Sequence, residues 1–154
     1  MNVFLSDEQD RPANAASLRE FAVKVLDAEG FASDTELAVM LVGLEQMTEY
    51  NERFMERKGP TDVLAFPLED LQPGTAPRPL PGEPPVTLGD VFLCPAEIEV
   101  RAAREGFAYD DFLHLLLVHG ILHLLGYDHD DDERADAMEQ REDELLALIG
   151  RSVK

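Results

Sequence analysis

Residues 111–125 are apolar on nearly every side of a helical wheel, yet they include three of the chain's four histidines. A helix that is hydrophobic all round belongs in an interior, not at a surface. The stretch is too short to span a bilayer, and its histidines would be costly in one. The remaining sequence therefore has to wrap a single central helix. At 154 residues the chain suits one domain running from 1 to 154. A domain of this size buries about 70% of its unfolded surface, which is enough for a core around such a helix.

The flanking sequence supplies the wrapping elements. Residues 2–5 alternate as a strand does. Residues 15–29 carry apolar side chains at 18, 21, 22, 25 and 26, a helical stripe stopped by Gly30. Residues 36–42 read as a strand and 44–55 as a helix, followed by the Gly59-Pro60 breaker. Strands follow at 63–66 and 87–93. Between them, residues 70–85 hold six of the ten prolines and form an irregular loop. A helix at 96–104 begins just after Pro95, the central helix spans 111–125, and a last helix covers 130–149. The order βαβαββααα predicts an α+β fold, with one mixed sheet of about four strands packed with helices.

The central helix also names a chemistry. His119 and His123 are one turn apart and project from one face. Gly126 is placed to end the helix in a left-handed cap, and the returning chain carries His129 to a third corner. Three imidazoles with an open fourth position describe a catalytic zinc site, one Zn2+ per chain, held by His119, His123 and His129. His114 lies about 140° around the helix from His119 and points elsewhere, as a packed or supporting residue. The spacing also matches that of zinc proteases of the H-E-x-x-H-x-x-G-x-x-H type, but Gly120 stands where they carry the glutamate base. A glycine there leaves approach to the metal unobstructed and removes the protease's proton acceptor. Proton transfer is then left to activated water, to a substrate hydroxyl, or to a nearby acid such as Asp128 or Asp130.

Thirty-two acids against 13 Lys and Arg give a net charge of −19, which argues against a general nucleic-acid binder. The few cations gather at Arg53, Arg57 and Lys58, and again at Arg101 and Arg104. Single Cys94 forbids an internal disulfide and fits a reducing cytoplasm, where it reads as a small buried strand residue. No segment has the pattern of a secretion signal or a membrane span.

Three segments together resemble the bacterial YbeY family: His119 to His129, Gly59-Pro60-Thr61-Asp62-Val63-Leu64-Ala65-Phe66-Pro67, and Leu88-Gly89-Asp90-Val91. Asn51 also falls at the family's usual distance ahead of Pro60-Thr61. The resemblance implies a cytoplasmic, zinc-containing, single-strand-specific endoribonuclease that acts on ribosomal RNA. It further implies a place in small-subunit rRNA 3′ maturation and ribosome quality control. The implied partners are ribosomal RNA, ribosomal subunits and ribosome-associated proteins, with no membrane. Two departures stand out. Many members carry an arginine six residues before the Thr of Pro-Thr-Asp, where this chain has Met55, and their frequent Ser before the Phe is Ala65. Arg53 and Arg57 flank the missing arginine and, with Asp128, are the candidate catalytic residues. A second reading, favoured by the acidic charge and Met55, is a ribosome-associated binding factor whose zinc mainly holds the fold.

Overall fold

A computed structural model describes residues 1–153; the single-domain reading runs one residue further, to Lys154, which lies outside the described residues. Nine elements follow in the expected order: β1 (Asn2–Glu8), α1 (Ala15–Ala28), β2 (Glu36–Val42), α2 (Leu44–Met55), β3 (Val63–Pro67), β4 (Thr87–Leu93), α3 (Pro95–Glu105), α4 (Tyr109–Leu124) and α5 (Asp132–Ala147). The strands form one mixed sheet in the order β1-β2-β4-β3. β1 and β2 run parallel, as do β2 and β4, while β3 pairs antiparallel with β4. The fold is α+β, as the sequence predicts.

β1 runs past the alternating residues 2–5 to Glu8, because β2 offers it backbone partners as far as Val42. α5 starts later than the sequence predicts. The Asp131 side chain accepts a bond from the Arg134 amide at 2.8 Å, which makes Asp131 the cap and leaves Asp130 outside the helix.

Alternation in the strands divides the interior. Leu37, Val39, Leu41, Val91 and Leu93 belong to the main core with α1 and α4, in which Leu113, Leu117, Val118, Ile121 and Leu122 are fully buried. Met47 of α2 packs with Val42, Leu64 and Cys94 in a smaller cluster flanked by Tyr50, Phe66 and Phe92. Cys94 is buried as the sequence suggests, but it stands just past β4 as the N-cap of α3 rather than in a strand, and burial pushes its thiol pKa up.

α4 lies close against the sheet because Gly120 lacks a side chain. A Cβ at 120 would meet Val91 Cγ1 at 2.7 Å and Val63 Cγ2 at 3.1 Å. Gly120 thus has a packing reason beside the one the sequence suggests: it lines the cleft that holds the histidines, and its missing side chain leaves room for two strand valines. A glutamate there would require Val91 or the helix to shift.

The end of α4 is equally fixed. Gly126 has φ of +100°, its amide bonds His123 O at 3.2 Å, and the Tyr127 amide bonds Leu122 O at 3.0 Å. This is the paired-bond glycine cap that reverses a helix. A Cβ at 126 would meet the Leu71 carbonyl oxygen at 2.1 Å, so the long loop crosses directly over the turn.

His114 ties α4 to α1. Its Nδ1 lies 2.7 Å from Asp110 O and its Nε2 2.8 Å from Ser17 Oγ, beside the Phe21 ring. Donation to the carbonyl fixes the proton on Nδ1, so Nε2 accepts from the serine hydroxyl. His114 is fully buried and burial lowers its pKa.

Gly120→Ala is expected to destabilise the protein by about 1–3 kcal/mol through overpacking against Val91. Urea unfolding would show this as a lower midpoint at unchanged slope.

Candidate metal centre

His119 and His123 leave the same face of α4, and their Nε2 atoms stand 3.2 Å apart. Two nitrogens bound tetrahedrally at about 2.0–2.1 Å from one ion are separated by about 3.3 Å, so the spacing suits a shared cation. The glycine cap returns the chain so that the His129 ring reaches the other two, at centroid distances of 5.1 Å from His123 and 5.9 Å from His119. One donor atom from each of the three histidines lies within 4.8 Å of the others. His129 is exposed, whereas His119 and His123 are half-buried, so the cluster is open toward solvent on the His129 side.

Metal binding needs neutral imidazoles. Burial, reinforced by neighbouring His119 and His129, pushes the His123 pKa down to about 4. His119 Nδ1 lies 2.6 Å from Glu142 Oε2 of α5. Three clustered imidazoles, with His123 held neutral, form a donor set that fits a zinc-like cation.

The strand side of the cluster opens into a cleft of about 410 Å³ lined by Asn51, Met55, Arg57, Thr61 and Asp62 together with the histidines. Arg57 gets there because α2 stops at Met55 and Glu56 adopts a left-handed conformation, φ 54°. Glu56 is the one non-glycine with positive φ among the described residues, a strained choice that redirects the chain. Asn51, buried, donates its side-chain amide to Gly59 O at 2.9 Å and so pins the loop carrying Thr61 and Asp62. Asp62 in turn accepts from the Val63 amide at 2.7 Å and pairs with Arg101.

The other sequence candidates are placed differently. Arg53 is on the helix proper, does not line the cleft, and pairs with Glu49 at 3.7 Å. Asp128 does not line the cleft either; it accepts from the His129 amide at 2.7 Å, which is a turn role. Arg101 is committed to Asp62 and Glu105 and lies 5.4 Å over Phe112, so that part of the expected cationic patch is structural. Arg57, by contrast, makes no ion pair among the described residues.

Glu142 escapes a reading based on the histidine motif, because it is far along the chain on another helix. One signal was available: it sits on the packing stripe of α5, one turn after Met138 and three residues before Leu145, where an apolar residue is the norm.

A mixed sheet with a central helix that bears two histidines, joined by a third from the turn after it, above an open cleft defines a class, an α+β protein built around a candidate open-sided metal centre. Comparison with known proteins narrows it. The family described as Endoribonuclease YbeY matches residues 4–150. A protein named Endoribonuclease YbeY from Thermobifida fusca is 40% identical over 154 residues, spanning 100% of this chain and 97% of that protein. Another of that name from Micrococcus luteus is 44% identical over 117 residues, covering 75% of this chain and 72% of its own. The solution structure of TM1509 from Thermotoga maritima shares the fold, with a TM-score of 0.61 at 24% identity, covering 96% of this chain and 91% of that one. The chain belongs to the YbeY endoribonuclease family. Among the described residues, no helix is long and apolar enough to cross a membrane.

The lowered pKa values of His114 and His123 carry a stability consequence. In the unfolded chain both titrate near about 6.5, so on acidification the unfolded state takes up protons first. Their contribution to stability is complete above about pH 6.5 and is lost as pH falls toward the folded values. For His123 the folded value is about 4. Denaturant unfolding of metal-free protein should therefore give a lower midpoint at pH 5 than at pH 7.5. His123→Ala should narrow that difference.

Proposed function

We propose that this chain is a zinc-dependent endoribonuclease that cuts single-stranded segments of ribosomal RNA, acting in small-subunit rRNA 3′ maturation and ribosome quality control. On this reading residues 1–154 form one catalytic domain working in the cytoplasm on ribosomal subunits, alone or with ribosome-associated proteins. The observation that carries it is an unpaired arginine, Arg57, in the cleft that also exposes His119, His123 and His129. Family membership supplies the substrate class.

The three histidines would hold the zinc, which when bound supplies Lewis acidity toward a phosphoryl oxygen and a source of activated water. The protein's own groups do the rest. Arg57 neutralises the phosphate charge that grows during displacement, which is why its lack of an internal carboxylate partner matters. Thr61, on the pinned loop, offers a hydroxyl to a phosphate or ribose oxygen. Asn51 acts at one remove by keeping that loop in place. Residue 120 itself carries no side chain, so the glutamate base of the protease pattern has no counterpart at that position.

One observation favours the second reading, a ribosome-bound factor with weak nuclease activity. Met55, an uncharged side chain, lines the cleft at the position where the family resemblance implies an arginine.

Zinc-loaded protein is expected to cleave single-stranded rRNA fragments, and the His119→Ala/His123→Ala variant to be inactive. Equal cutting by both preparations would mean a contaminating nuclease. Ribosomal-subunit binding by both, with no cutting by either, would favour the binding-factor reading. Within an active enzyme, Arg57→Ala should lower kcat/KM by about 10–100-fold, while Arg53→Ala changes it less than about twofold.

A further inference from the structure

Glu142 is a carboxylate in a position that packing would assign to an apolar side chain. The residue is only 8% exposed, and the neighbours on its stripe, Met138 and Leu145, are 2% and 0% exposed. Taking a charge out of water at such a position is costly unless it is paired, and replacing a buried ion by an apolar residue is often stabilising. Its side-chain partner is His119, at 2.6 Å from Nδ1 to Oε2. The contact joins α5 to the metal-bearing face of α4 across 23 residues of sequence.

We infer that Glu142 is a positioning residue for the metal centre, holding His119 in the one tautomer and orientation that can bind the ion together with His123. The inference rests on the reading that the three histidines hold a metal. An ionised carboxylate can only accept hydrogen bonds, so the ring nitrogen facing it must carry the proton. With Nδ1 protonated, the bare lone pair is on Nε2, and that atom is the one standing 3.2 Å from His123 Nε2. An imidazole without such a partner divides between two tautomers and rotates about its side-chain bonds. Fixing both beforehand removes that cost from metal binding. The Glu142 side chain is 10% exposed, which limits the water that competes for its carboxylate.

The test compares wild type with Glu142→Leu and Glu142→Gln by three measurements that need no RNA. These are zinc affinity by chelator competition, thermal unfolding of the metal-free protein, and the His119 ring 15N NMR signature. For Glu142→Leu, zinc affinity should fall about 10–100-fold. The metal-free protein should melt at or above the wild-type temperature, and the His119 ring should move from one tautomer to a mixture. Glu142→Gln keeps an acceptor oxygen, so it should lose less affinity and retain the single tautomer. A Leu variant that melts earlier while binding zinc within twofold of wild type would overturn the inference, because Glu142 would then only join two helices. An unchanged His119 tautomer in both variants would overturn it as well, even if the Leu variant folds poorly. A wild type that binds no zinc removes the premise and the inference together. Absence of RNA cleavage, with these three results intact, would count against the nuclease reading alone.

Discussion

The close approach of α4 to β3 and β4 sets the position of nearly everything else. It depends on a missing methyl group at residue 120, where the strand valines Val63 and Val91 occupy the space a side chain would need. Because the backbone can come this near, the faces that flank the glycine are committed. One turn carries His119 and the next His123, held at a fixed height above the strand end that brings Thr61 and Asp62. The strands thus form the floor on which the metal ligands and the cleft share a single frame. Interiors packed to this density do not adjust by small slides, so the spacing between the histidines and the cleft wall is set by the core.

Two turns complete that frame by different means. At the end of α4 a glycine takes a positive φ and two backbone bonds close the reversal, so His129 arrives three residues later on a rigid path. At the end of α2 the positive φ falls on Glu56, a residue type that resists it. The strain is sustained by what surrounds it: Asn51 and Glu52 both hold Gly59, which closes the loop onto the helix. The consequence is that Arg57, rather than Arg53, faces the histidines. Strain maintained beside a cleft is a common mark of a working site.

Electrostatics reconcile an acidic protein with an anionic class of substrate. Several cations are already used: Arg101 by Asp62, Arg134 by Asp130, Arg141 by Glu29 and Arg151 by Asp110 and Asp111. A net charge of −19 describes the surface as a whole and not this cleft, where an arginine without a carboxylate partner meets three histidines. Local charge at short range outweighs distant charge screened over about 8–10 Å in physiological salt.

The sequence by itself determined the element order, the burial of the central helix and the identity of the three clustered histidines. Each of these rests on short-range periodicity or on spacing within one helix and its cap. The contrast among Arg53, Met55 and Arg57 was visible as a question but not as an answer. Which of them faces the cleft turns on one backbone angle at Glu56, and no propensity would place a glutamate there. Glu142 was hidden for another reason: its role exists only because α5 packs beside α4, a contact between segments far apart in the chain. The purpose of Gly120 likewise needed the strands, since a glycine's reason is the neighbour that would collide with a side chain. Local chemistry is written along the chain, whereas partners are chosen by packing between distant segments, and only the tertiary structure brings those together.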